Sequence, residues 1–87
     1  MKSAKRKSGL IVQDKKVVLK SIGDNLKKRR KILEFTSGED FAYEYGINRS
    51  QYGKYEAGSQ DMQIGTLLKI VNAMGLTLQE FFSEDFE

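Results

Sequence analysis

Eighty-seven residues suffice for one domain, near the lower size at which a single core is stable without staples. The sequence has no cysteine and no histidine, which excludes disulfides, Cys or His metal sites, Cys nucleophiles and every Ser-His or Cys-His catalytic arrangement. Net charge is only +3, but residues 1–31 carry twelve Lys/Arg against two acids while residues 32–87 carry three against ten, so a polyanion would meet the first third of the chain. The 12 acids show no spacing suited to acid/base work, and we expect no enzyme, no cofactor and no catalytic residue. No run of about eighteen apolar residues exists to span a membrane. The apolar stretch after MKSAKRKSG is too short for a signal peptide, which leaves the cytoplasm as the expected compartment.

Residues 1–9 are polar and basic without apolar periodicity and read as a flexible arm. Leu10-Ile11-Val12 and Val17-Val18-Leu19 follow, joined by Gln13-Asp14-Lys15-Lys16. They fit a small hairpin, a strand pairing with another subunit, or the early turns of a longer first helix beginning near Asp14. Six large apolar residues are expected to pack somewhere, on the domain or on a second chain. The first regular helix is expected from residue 22 to 33 or 34, capped by Ser21, with Ile22, Leu26, Ile32 and Leu33 as its inner stripe. Lys27 to Lys31 are five consecutive cations, and five in a row wrap a helix, so at least one points inward. Arg30, one turn beyond Leu26, is that residue.

Ser37, with Glu39 and Asp40 behind it, caps a short second helix whose Phe41, Ala42 and Tyr45 share a face. Gly46-Ile47-Asn48 then forms a turn: a glycine free to take positive φ, an inward apolar residue, and a cap whose spacing to Gln51 is that of a capping box. In the third helix Tyr52, Tyr55 and Glu56 fall on one face and Arg49, Ser50, Gly53, Lys54 and Ala57 on the other, until Gly58 stops it. Glu56 is within reach of an inward Arg30, and the two are expected to pair. The four tyrosines read as core and rim instead of a base-stacking platform, since helical spacing accounts for at least three of them. Gly53, in mid-helix, is less favourable than alanine by about 1 kcal/mol. A loop at 59–63 leads to a fourth helix from 64 or 65 to 74, where Leu67, Leu68, Ile70, Val71 and Met74 leave little polar girth. After Gly75, Thr77 and Glu80 box the start of a fifth helix that closes the core with Leu78, Phe81 and Phe82. The fold expected is an all-α bundle of five short helices at 21–83, with a basic extension at 1–20 and an acidic tail at 84–87.

IGDNLKKRR, EDFAYEYGINRSQYGKYEAG and TLLKIVNAMGLTLQEFF together resemble the lambda-repressor-like, Cro/C1-type (Xre) helix-turn-helix family of DNA-binding regulators. Ala42 matches its small residue in the second helix, Gly46 its turn glycine, Ile47 its inward apolar residue, and Glu56 and Gly58 its Glu-x-Gly ending. The resemblance implies that the third helix lies in the major groove of double-stranded DNA. Arg49, Ser50, Gln51, Gly53 and Lys54 would face bases, and Lys27, Lys28, Lys31, Gly38, Tyr43 and Ser59 would face phosphates. It also implies the Arg30–Glu56 pair and a homodimer on a two-fold operator. The chain departs from the family pattern in three places. Gly38 stands where many relatives have a glutamine, the connection from residue 32 to 37 is one residue longer, and Tyr52 replaces a common aliphatic. Two other roles fit the same features: an antitoxin or restriction-modification controller that also holds a protein partner, and a helical interaction module without DNA binding, for which the acidic Glu39, Asp40 and Glu44 speak.

Overall fold

The computed structural model describes residues 11–83, so the expected arm at 1–9 and tail at 84–87 lie outside the described residues. Five helices follow one another: α1 Lys15–Ile32, α2 Gly38–Glu44, α3 Arg49–Ala57, α4 Ile64–Ala73 and α5 Leu78–Phe82. This is the all-α order read from the sequence, with the helix-turn-helix at α2 and α3.

The first helix starts earlier than expected. Asp14, not Ser21, is its cap, with the Asp14 side chain accepting from the Lys16 amide at 2.9 Å, and Ser21 lies mid-helix. Of the three conformations open to this segment, the extended first helix is the one formed, from Lys15 onward; Leu10 lies outside the described residues. β-Branched Val17 and Val18 favour a strand locally, but tertiary contacts override that preference. A methyl group on Gly58 would sit 2.7 Å from Lys20 Cα, so the helix backbone lies directly on the end of α3, and Lys15 Nζ reaches Asp61 at 3.0 Å. That ion pair is exposed and contributes little, although it draws the Asp61 carboxyl below its ordinary pKa.

Leu26, Phe41, Ala42, Tyr52, Tyr55, Leu67, Ile70, Val71, Met74 and Phe81 form the core. The expected stripe of α1 is corrected: Leu26 is buried, Ile22 is half-buried, and Ile32 and Leu33 are exposed, because Gly23, Asn25 and Arg30 take the inner positions instead. Asn25 Nδ2 donates to the Phe81 carbonyl at 3.0 Å and ties α1 to α5. Leu68 and Phe82 are likewise exposed, and Tyr45 is at the rim, its ring against Phe35 and Phe41. The connection between α1 and α2 turns at Glu34, which takes the left-handed conformation (φ 71°) while the Phe35 amide reaches back to the Arg30 carbonyl. Glycine usually occupies such a position.

Candidate nucleic-acid interface

Everything that holds α3 is built from short-range chemistry. Gly46 turns the chain at φ 67°, Ile47 folds inward with its amide on the Ala42 carbonyl at 2.8 Å, and the Asn48 side chain accepts from the Gln51 amide at 2.9 Å. Gly58 ends the helix in the left-handed region. Between these caps α3 packs on α1 and α2 together, which leaves only one face outward.

The inner face is fixed by a buried ion pair. Arg30 Nε donates to Glu56 Oε2 at 2.7 Å and Nη2 to Glu56 Oε1 at 2.9 Å, a two-pronged contact, while Nη1 donates to the Phe35 carbonyl at 2.8 Å. The two side chains are only 5% and 11% exposed. The hydrogen bonds that Arg30 donates to Glu56 raise the Arg30 pKa above its ordinary value against the opposing effect of burial, so the guanidinium remains charged.

Tyr52 is fully buried beside this pair, and its hydroxyl has no hydrogen-bond partner among the described residues. A Cβ on Gly38 would come within 3.2 Å of the Tyr52 ring. The ring of Tyr52 in α3 thus fits closely against a residue without a side chain at the start of α2. Burial, with Glu56 next to it, pushes the Tyr52 pKa far above the ordinary value of 10.0. The folded state therefore holds this proton more tightly than the unfolded chain. Its contribution to stability is complete below about pH 10 and is lost as pH rises further. Tyr52→Phe is expected to be about 1 kcal/mol more stable at neutral pH, since an unsatisfied buried hydroxyl is removed, and to lose less stability above pH 10. Urea titrations at several pH values check both. A phenylalanine variant less stable than the parent would mean that the hydroxyl is bonded.

Arg49, Ser50, Gly53 and Lys54 are all exposed on the outer face of α3, and Gln51 is half-buried at its edge. A Cβ on Gly53 would meet nothing within 4 Å among the described residues, so packing between them does not require a glycine there. Lys27, Lys28 and Lys31 are exposed on α1, with Lys27 and Lys31 following at four-residue steps the Gly23 that touches α3. Tyr43 is 76% exposed on α2 and Gly38 is half-buried. Ser59 differs from the rest: its amide and its hydroxyl both donate to the Lys54 carbonyl, so its donors are used to close α3. Sequence reasoning passed over two features. Gln51 shares a cleft of about 320 Å³ between α3 and α4 with Gln63, Thr66 and Lys69, where Lys69 as the lone cation of α4 was the available signal. Glu39, read as a helix-start acid and as one of the acids of an interaction module, lines a depression of about 520 Å³ with Asn48, Arg49 and Ser50 at the head of α3.

Comparison with known proteins agrees with this geometry. Residues 26–81 match the helix-turn-helix family HTH_3. The chain is similar to control protein C.MunI from Mycoplasma sp., with 37% identity over 62 residues that make up 71% of this chain and 84% of that protein. Among solved structures it is similar to an HTH_3 family transcriptional regulator from Vibrio cholerae (TM-score 0.72, 26% identity), matched over 83% of this chain but spanning only 40% of that one. It is also similar to the restriction-modification controller protein C.AhdI from Aeromonas hydrophila (TM-score 0.69, 27% identity), over 80% of this chain and 100% of that one. The fold is the lambda-repressor-like one, and no helix among the described residues is long and apolar enough to cross a membrane. The chain belongs to the HTH_3 helix-turn-helix family of DNA-binding transcriptional regulators, a family without enzymatic activity.

Proposed function

We propose that this chain is a restriction-modification controller that binds its operator as a homodimer, with α3 in the major groove. The observation that carries this reading is the similarity, over most of the chain and most or all of theirs, to two control proteins, C.MunI and C.AhdI. Arg49, Ser50, Gln51, Gly53 and Lys54 read base edges: arginine suits the paired acceptors of guanine, and glutamine the acceptor and donor of adenine. Lys27, Lys28 and Lys31, with Tyr43 and the Gly38 backbone, meet phosphates, a sequence-independent contribution that weakens with salt. Ser59, its donors already engaged, adds little. One α3 reads only a few base pairs, so two copies about 34 Å apart on a two-fold site make up the specificity. Apolar side chains left exposed supply two candidate dimer surfaces: Ile11, Val12 and Val17 before and in α1, and Ile64, Leu68 and Phe82 on α4 and α5.

Selection from random duplexes tests the reading. A two-fold sequence should be enriched, and Arg49→Ala should weaken its binding by about 1–3 kcal/mol and relax preference at one position per half-site. Lys54→Ala should weaken it as well. The enriched sequence should occur upstream of a restriction or modification gene, or of the gene for this chain, and switch a reporter placed behind it. No enrichment at low salt, or indifference to both substitutions, would sink DNA reading. Enrichment of a site unrelated to such genes would sink the controller assignment alone.

A further inference from the structure

Arg49 stands at the head of α3, exposed and long, with two kinds of target within reach of any such residue on DNA: a phosphate and a guanine edge. Half or more of protein–DNA hydrogen bonds go to phosphate and sugar and carry no sequence information. An unrestrained arginine is therefore as apt to grip the backbone as to read a base. In this chain a carboxylate lines the same depression. Glu39, exposed on the first turn of α2, shares it with Asn48, Arg49 and Ser50, and residue 38 next to it is a glycine with no side chain to intervene. An acid at the leading edge of a DNA-reading helix repels every duplex to some degree. Helix-start stabilisation does not depend on it, because Asp40 is also in the first turn of α2 and Ser37 already caps the Asp40 amide at 3.1 Å.

We infer that Glu39 is a positioning residue for Arg49, its carboxylate repelling phosphate from the depression and orienting the guanidinium toward a guanine. The inference rests on α3 reading DNA as proposed above. Phosphate and carboxylate carry like charge and repel one another across the depression, whereas guanine offers O6 and N7 as neutral acceptors to the guanidinium that shares the depression with Glu39. Glu39 thus trades a general loss of affinity for discrimination at one base pair.

The test uses the duplex enriched by the full-length protein, the same duplex altered only at the pair whose preference Arg49→Ala relaxes, and a scrambled duplex. Glu39→Gln should bind the scrambled duplex more tightly and reduce discrimination at that one pair about tenfold. Asp40→Asn and Glu44→Gln remove the same charge from the same helix outside the depression, and should strengthen all three duplexes by one common factor. In an Arg49→Ala background, Glu39→Gln should leave discrimination unchanged. If Glu39→Gln acts like the two control substitutions, or still alters discrimination without Arg49, the positioning role is overturned while DNA reading stands. If the parent protein enriches no sequence, DNA reading itself fails and the positioning role fails with it.

Discussion

Replacing Arg30 with alanine is expected to lower the unfolding free energy by about 3–5 kcal/mol, the usual consequence of removing one partner from a buried ion pair. The loss comes from what remains behind. Glu56 would be left without its partner at 11% side-chain exposure, and the Phe35 carbonyl would lose the Nη1 donor it now has at 2.8 Å. A domain this small has about 5–15 kcal/mol of total stability at most, so the variant should melt far below the parent in a thermal or urea titration. Arg30→Lys retains the charge but not the planar fork that meets both Glu56 oxygens, and should fall between the two. Arg30→Met with Glu56→Leu should recover most of the loss, because a matched apolar pair leaves no charge buried. A loss below about 1 kcal/mol for Arg30→Ala would mean that the pair behaves as an exposed one. The same pair joins two helices. Glu56 is on α3 and Arg30 on α1, so the pair fixes how α3 is seated on α1.

What the sequence disclosed about this molecule follows the range of the interactions involved. Caps are local, and Ser37, Asn48 and Thr77 could be read directly; the capping box at Thr77 and Glu80 is formed on both sides. The inward Arg30 was legible because five adjacent cations must surround a helix, and a lone acid on the inner face of α3 offered a partner. The start of α1 was not legible. Asp14 and Ser21 are equally good caps, and the choice is made by the close packing of α1 on Gly58, about forty residues away along the chain. Periodicity also names a face without naming which of two neighbours lies deepest, which is why Leu33, Leu68 and Phe82 were expected inside and are exposed. Gly38 and Tyr52 each departed from the family pattern without apparent cause, and only the 3.2 Å approach relates them. At the site, the outer face of α3 follows from helical spacing alone. The neighbour of Arg49 does not, because Glu39 arrives from another helix across the turn.

Gly23→Ala should destabilise the domain by about 3 kcal/mol, and its sign is more telling than its size. Glycine within a helix is worse than alanine by about 1 kcal/mol, so on a free-standing α1 the substitution would be stabilising. Here a Cβ at residue 23 would lie 2.4 Å from the Glu56 carbonyl oxygen and 2.6 Å from that of Tyr55. Both obstacles are backbone, which cannot rotate aside as a flexible side chain would. Overpacking of a close contact is destabilising by about 1–3 kcal/mol and occasionally more, and two rigid neighbours place this site at the upper end, enough to outweigh the propensity gain. Gly53→Ala is the matched comparison, since nothing lies within 4 Å of its Cβ; it should gain about 1 kcal/mol by the same propensity argument. The two variants then separate the two faces of α3. Gly23→Ala should lose stability, and should lose binding of the selected duplex only to the extent that it unfolds or turns α3. Gly53→Ala should be more stable and yet bind that duplex more weakly, because the added methyl group stands between the helix and the groove. A Gly23→Ala protein more stable than its parent would mean that α1 does not lie against the end of α3. A Gly53→Ala protein that binds as well as the parent would leave the outer face without close contact to DNA at that point.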